Sequence, residues 1–146
     1  MRGMTQDYPK QMFVFYASED IDDSTKSSIR QLVQELVSLK AWCVAPPAFV
    51  DETDEGGAEV IGGVVEVWSA LPSSKLPIDL DSKNLEDVEA LIEVVRKYSE
   101  IEGVSFEFLL DSTYVGSVDH GVLDRTLREG LLEPWRKNIV SQGHLG

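Results

Sequence analysis

The run Met12-Phe13-Val14-Phe15-Tyr16-Ala17 constrains this chain more than any other segment. Uninterrupted apolar residues rich in aromatic and branched side chains read as a strand covered on both faces, and so as the centre of a sheet. A polar stretch at 18–24 ends the run. Ile29, Leu32, Val33, Leu36 and Val37 then recur at helical spacing, with Asp22, Asp23 or Ser24 placed to cap the first turn.

Trp42–Val50 has strand character, but Pro46-Pro47 removes two ladder donors and confines the segment to a sheet edge or an irregular crossing. The stretch Asp51-Glu52-Thr53-Asp54-Glu55-Gly56-Gly57 carries turn chemistry and is expected as a loop. Val60–Ala70 resumes strand character as the antiparallel partner of the preceding segment, and Gly62-Gly63 within it predicts a bulge or a close backbone approach. After the connector Leu71–Pro77, Asn84 with Asp87 three residues later forms a weak capping box. It precedes a second helix through Leu85, Val88, Leu91, Ile92, Val95 and Tyr98, closed by Gly103. Val104, Phe106, Phe108 and Leu110 alternate with Ser105, Glu107 and Leu109, which predicts a strand with one buried face. Asp111-Ser112-Thr113 turns it into a hairpin with Tyr114–Val118. Leu123, Leu127 and Leu131 share a helical face with Asp124 as cap. Gly130 and Pro134 predict a break before a last helix that turns Trp135 and Ile139 inward.

The order β-α-β-β-α-β-β-α predicts an α+β fold, with a mixed or antiparallel sheet of about four to six strands and the helices packed on one face. Its first six elements follow the ferredoxin-like order and leave a C-terminal hairpin and helix. With 146 residues, 42% hydrophobic and 27% charged, the chain has the size and composition of one globular domain spanning residues 1–146.

Its 26 acidic residues against 13 basic ones leave a formal charge of −13, which repels phosphate backbones and attracts a basic protein partner. No nucleic-acid partner is expected. Cys43 is the only cysteine, so neither an intrachain disulfide nor a thiolate metal cage can form. The start, Met1–Lys10, carries charge and proline where a signal peptide needs an apolar run. Nothing approaches the roughly 20 apolar residues of a membrane span, and a cytoplasmic location without membrane partners is expected.

Several groups bear on chemistry. Glu19, Asp20, Asp22 and Asp23 follow a buried strand and precede a helix, where carboxylates either hold Mg²⁺ or cap the helix and meet its dipole. Asp20-x-Asp22 resembles the paired aspartates of haloacid-dehalogenase-type phosphatases over those two residues, without the lysine and carboxylate motifs that complete such a site. Read as an EF-hand from Asp51, the acidic stretch puts Gly62 where the bidentate glutamate belongs, so calcium is not its expected ligand. No Lys or Arg lies between Lys40 and Lys75 to neutralise it in sequence. Asp119-His120-Gly121 offers a histidine flanked by carboxylates as a general base, with Ser112, Thr113 or Ser117 as conceivable nucleophiles, or else a polar turn.

With no complete catalytic set, no phosphate cradle, no metal cage and no assigned cofactor, a binding protein is expected before an enzyme. In size and charge the chain resembles the immunity proteins that neutralise bacterial toxins, which implies an inhibitor that occludes a basic surface. The expected partner-binding residues are Asp51, Glu52, Asp54, Glu55 and Glu59, with Glu66 and, as an aromatic anchor, Trp42. The alternative is a Mg²⁺-assisted phosphoester hydrolase using Asp20, Asp22 and Asp111. Strand direction discriminates, because antiparallel first and fourth strands put Asp20 and Asp111 at opposite ends of the sheet.

Overall fold

The computed structural model describes residues 10–19, 21–53, 56–57, 59–68 and 77–145, with side chains as far as residue 140. Its elements in chain order are β1 (Lys10–Ala17), α1 (Asp23–Leu39), β2 (Ala48–Thr53), β3 (Glu59–Trp68), α2 (Ile78–Glu102), β4 (Phe106–Leu110), β5 (Thr113–Asp119) and β6 (Val122–Leu123). A π-helical stretch, Thr126–Leu132, then leads into α3 (Glu133–Leu145). The fold is α+β. All strand pairs are antiparallel, in one six-stranded sheet ordered β2-β3-β1-β4-β5-β6. The part β2-β3-β1-β4 interleaves two split βαβ units, and the β5–β6 hairpin extends it beyond β4.

Residues directly opposite one another on paired strands share a sheet face, so the registers show what each face carries. One row runs Phe49–Gly63–Phe15–Phe108–Gly116 across five strands. Val33 of α1 lies over Gly63 and Leu127 of the π-helical stretch lies over Gly116, so helical segments at both ends cover this face. Phe13, Phe15, Phe106 and Phe108 are fully buried beneath them, together with Ile29, Leu36, Val88, Leu91 and Val95.

The other face is not covered in this way. On β1, Phe13, Phe15 and Ala17 are buried, whereas Met12 is exposed and Val14 and Tyr16 are half-exposed. The expectation that β1 is covered on both faces is therefore corrected. β1 is central because strands flank it on both sides, and its helical cover is one-sided.

Gly62 and Gly63 hold a close approach and no bulge. The register with β1 and β2 runs through them unbroken, and a Cβ on Gly62 would fall 1.9 Å from the Phe15 carbonyl oxygen. The one irregular register lies between β4 and β5, at Phe108/Leu109.

Three local expectations differ from the structure. First, β2 continues through Asp51, Glu52 and Thr53, because pairing with β3 as far as Thr53↔Glu59 outweighs the turn preference of those residues. Second, α2 begins at Ile78, and Asn84 is a fully buried interior residue instead of a cap. Its Oδ1 accepts from the Trp68 N–H at 3.0 Å and its Nδ2 donates to the Trp68 carbonyl at 2.7 Å. Third, the break expected at Pro134 is a widening. Proline has no N–H to give the carbonyl four residues back, and its ring crowds that carbonyl. The preceding turn opens to π spacing, with the Glu133 N–H bonded to the Arg128 carbonyl, and α3 continues from there. Asp22 caps α1 through the Thr25 N–H at 2.7 Å, and Gly103 ends α2 in the left-handed region at φ 73°.

At Gly116 both backbone conformation and space call for glycine. Its φ is 150°, and a Cβ there would lie 2.3 Å from Leu127 Cβ and 2.7 Å from its Cα, so the π-helical stretch would have to move off the sheet. Gly116→Ala is expected to lower stability by about 2–4 kcal/mol, read as a lower urea midpoint at unchanged m-value.

Candidate partner-binding surface

The acidic residues singled out from the sequence fall into groups that sequence order does not reveal. β2 is an edge strand, and its register sends successive side chains to opposite faces. Asp51 lies opposite Ile61 on the helical side, where the Lys26 ammonium of α1 sits 3.8 Å from it and 3.0 Å from Glu59. Lys26 is held above its ordinary pKa, chiefly by the hydrogen bond to Glu59 and then by the charge of Asp51. The acidic stretch thus takes a base from α1, although none stands near it in sequence.

Glu52 and Glu66 lie on the uncovered face, opposite Val60 and Met12 respectively. Neither makes an ion pair among the described residues. Asp54 and Glu55 lie outside the described residues. Trp42 follows α1 on the helical side, half-buried against the core, and its indole N–H donates to the Leu36 carbonyl at 2.9 Å. It closes the C-terminal turn of α1, away from Glu52 and Glu66.

A glutamate that sequence reasoning did not single out completes the uncovered face. Glu107 on β4 lies opposite Tyr16 and accepts the phenol hydrogen bond at 2.7 Å. Burial, and then Glu107, push the Tyr16 phenol up to about 12. The signal for Glu107 was its place in the alternating 104–110 segment, which sends it to the side opposite the buried phenylalanines. On the same face Lys10 lies opposite Trp68, its ammonium 5.4 Å from the ring centroid.

Among the described residues, the carboxylates of the catalytic alternatives are not brought together. Asp22 is bound to Thr25 beyond the C-terminal end of β1, whereas Asp111 accepts from the Met12 N–H at 2.9 Å near the other end. Asp20 lies outside the described residues. Glu19 accepts from the Ser105 N–H at 3.2 Å. Among the described residues, no group of three or more His, Cys, Asp or Glu side chains is placed to hold a metal ion. His120 and Gly121, at φ 52° and 81°, form the two-residue turn between β5 and β6, a pattern of paired positive φ that suits the twist of a hairpin. Asp119 Oδ1 accepts from Ser105 Oγ at 2.5 Å and lies 2.7 Å from His120 Nδ1. The carboxylate stands between Ser105 and His120, and Ser117, one of the nucleophiles expected from the sequence, donates through its Oγ to Asp124 at 3.1 Å instead of to the histidine.

No protein-family model, curated protein or solved structure matches this chain. Among the described residues, no helix is long and apolar enough to cross a membrane.

Cys43 is equally unsuited to nucleophilic chemistry. Burial, and then the charge and hydrogen bond of Asp87, push its thiol up to about 11. At about pH 8 it should react with a thiol reagent on the order of 100-fold more slowly than free cysteine, and urea unfolding should restore the free rate. The Tyr16–Glu107 pair gives a pH signature. The folded chain holds the phenol proton more tightly than the unfolded chain, whose phenols titrate near pH ~10. The resulting stability is complete below about pH 10 and is lost as pH rises toward about 12. Tyr16→Phe should therefore lose less stability than the parent between about pH 9 and about pH 11, measured by urea midpoints.

Proposed function

We propose that this chain is a protein-binding protein that occludes a basic surface of its partner, as an immunity-type inhibitor does, and that it acts in the cytoplasm. The observation that carries the reading is the placement of Glu52 and Glu66. Both stand on the uncovered face without an ion-pair partner among the described residues, while Lys26 takes Asp51 and Glu59. Lys10 is the only Lys or Arg on any of the six strands, so the field over this face is almost wholly negative. Such a field speeds encounter with a cationic protein and rejects acidic ones.

Capture on the immobilised chain from its native source, followed by mass spectrometry, should return a basic protein. Its association rate should fall steeply with salt. Glu52→Lys with Glu66→Lys should slow association by about tenfold at low ionic strength, and Asp51→Lys should slow it less because that carboxylate already faces Lys26. Stopped-flow kinetics of the captured pair decides the matter. A partner whose association ignores both salt and the double reversal would overturn the reading.

A further inference from the structure

The uncovered face has an internal pattern that narrows what can bind it. Ala48, Val64, Val14, Leu109 and Tyr114 lie in register across five neighbouring strands, forming one apolar row at right angles to them. At ~4.8 Å per strand the row is roughly 19 Å long. Its ends, Ala48 and Tyr114, are exposed, and Val14, Val64 and Leu109 are half-exposed. The row next to it on the opposite face contains the fully buried Phe15 and Phe108.

Charge borders this band on both sides. Two residues along the strands in one direction lie Met12 and Glu66, and two residues the other way lie Tyr16 and Glu107, with Glu52 one step further on β2. The single strand-borne base, Lys10, is set beyond Met12 against the Trp68 ring.

We propose that this band is the docking site for a basic protein partner that presents an apolar ridge flanked on both sides by Lys or Arg. The proposal rests on the basic-partner reading and adds the shape and composition of the contact. Apolar contact along the row supplies burial, and the flanking glutamates select the bases that border the ridge. A second copy of this chain is the wrong occupant. Stacking two such faces would bring Glu52, Glu66 and Glu107 of both copies into one desolvated interface, where like charges are disfavoured.

The test uses the full chain and a synthetic amphipathic peptide of about 14 leucines and lysines at helical spacing, about 21 Å long and so matched to the band. Two controls keep the pattern, one with serine for leucine and one with glutamate for lysine. Affinities come from calorimetry at low ionic strength, and the contact is mapped by amide chemical shifts.

The leucine–lysine peptide should bind at least about tenfold more tightly than the serine–lysine peptide and shift the amides of Val14, Val64 and Leu109. Val64→Thr with Leu109→Thr, which keeps β-compatible side chains, should reduce leucine–lysine binding to the serine–lysine level and leave serine–lysine binding unchanged. Cooperative thermal unfolding checks that this variant folds, and Tyr114→Ser at the exposed end of the band gives a second reading. Equal binding of the leucine–lysine and serine–lysine peptides, or no effect of the variants, overturns the band while sparing the basic-partner reading. Binding of the leucine–glutamate peptide as tightly as the leucine–lysine one overturns both. A dimer in sedimentation that Leu109→Thr dissolves would assign the band to a second copy and overturn the proposal.

Discussion

The packing of β1 against β3 at Phe15 is the contact on which the rest of the molecule depends. The Phe15 carbonyl occupies the space a Gly62 side chain would need, and its ring lies where a Gly63 Cβ would fall, with Val33 of α1 beyond. Phe13 stacks on Phe108 at 5.6 Å, and Phe15 meets Phe106 edge-on at 5.8 Å. Burying a phenylalanine fully is worth about 1.5–3 kcal/mol, so placing all four rings on one face fixes where the helices must pack. The opposite face retains smaller or amphipathic side chains, Val14, Val64, Met12 and Tyr16, which tolerate partial exposure. One-sidedness is thus a consequence of where the large rings lie along β1 and β4.

α2 then ties the other segments to this core through buried polar groups on its inner side. Asn84 terminates β3 by giving Trp68 both a donor and an acceptor, as a neighbouring strand would. Asp87 accepts from the Cys43 N–H at 2.9 Å and faces the Lys40 ammonium at 2.5 Å, which anchors the chain as it leaves α1. Asp81 accepts from the Trp135 indole at 2.7 Å and so docks α3, and burial raises its carboxyl above the ordinary value against that bond. Ser99 accepts from the Gly121 N–H at 3.1 Å and holds the β5–β6 turn. Each of these groups would be costly to bury alone, so each is stable only when its partner segment is in place.

What was legible in the sequence was whatever periodicity encodes. The apolar run of β1, the stripes of α1 and α2, and the alternation of β4 all locate real elements, because burial on one face imposes its own spacing on sequence. What periodicity omits is which face stays open, since Val14 and Tyr16 are apolar enough to extend the run while standing outside the helical cover. Asn84 read as a cap because a polar residue before an apolar stripe usually is one, and its true partner lies on β3. The partner of Asp51 was hidden for the same reason, since Lys26 comes from α1. Of the expected binding residues, Glu52 and Glu66 share a face, Asp51 and Glu59 share a base, and Trp42 stands apart. That partition follows from strand register, which a composition-based reading of an acidic stretch does not contain.

The distribution of charge between strands and helices is uneven. Solubility asks only for a net charge away from zero and is served best when both signs are interspersed over the surface. Here the bases are segregated. Lys26 and Arg30 stand on α1, Lys83, Arg96 and Lys97 on α2, and Arg136 and Lys137 on α3, whereas the six strands carry Lys10 alone. On the helical side several of these bases are paired locally, Lys26 with Asp51 and Glu59, Arg96 with Glu93, and Arg136 with Glu89. α2 keeps a surplus of its own, eight acidic residues against Lys83, Arg96 and Lys97, so what sets the uncovered face apart is that its strands carry almost no base. A sheet face left bare for solubility would gain from lysines in place of Val14, Val64 or Leu109, which are open to solvent at no cost to the buried rings beneath. Keeping the row apolar and its borders acidic is an arrangement that solubility does not require and that the proposed contact with a cationic, partly apolar surface would use.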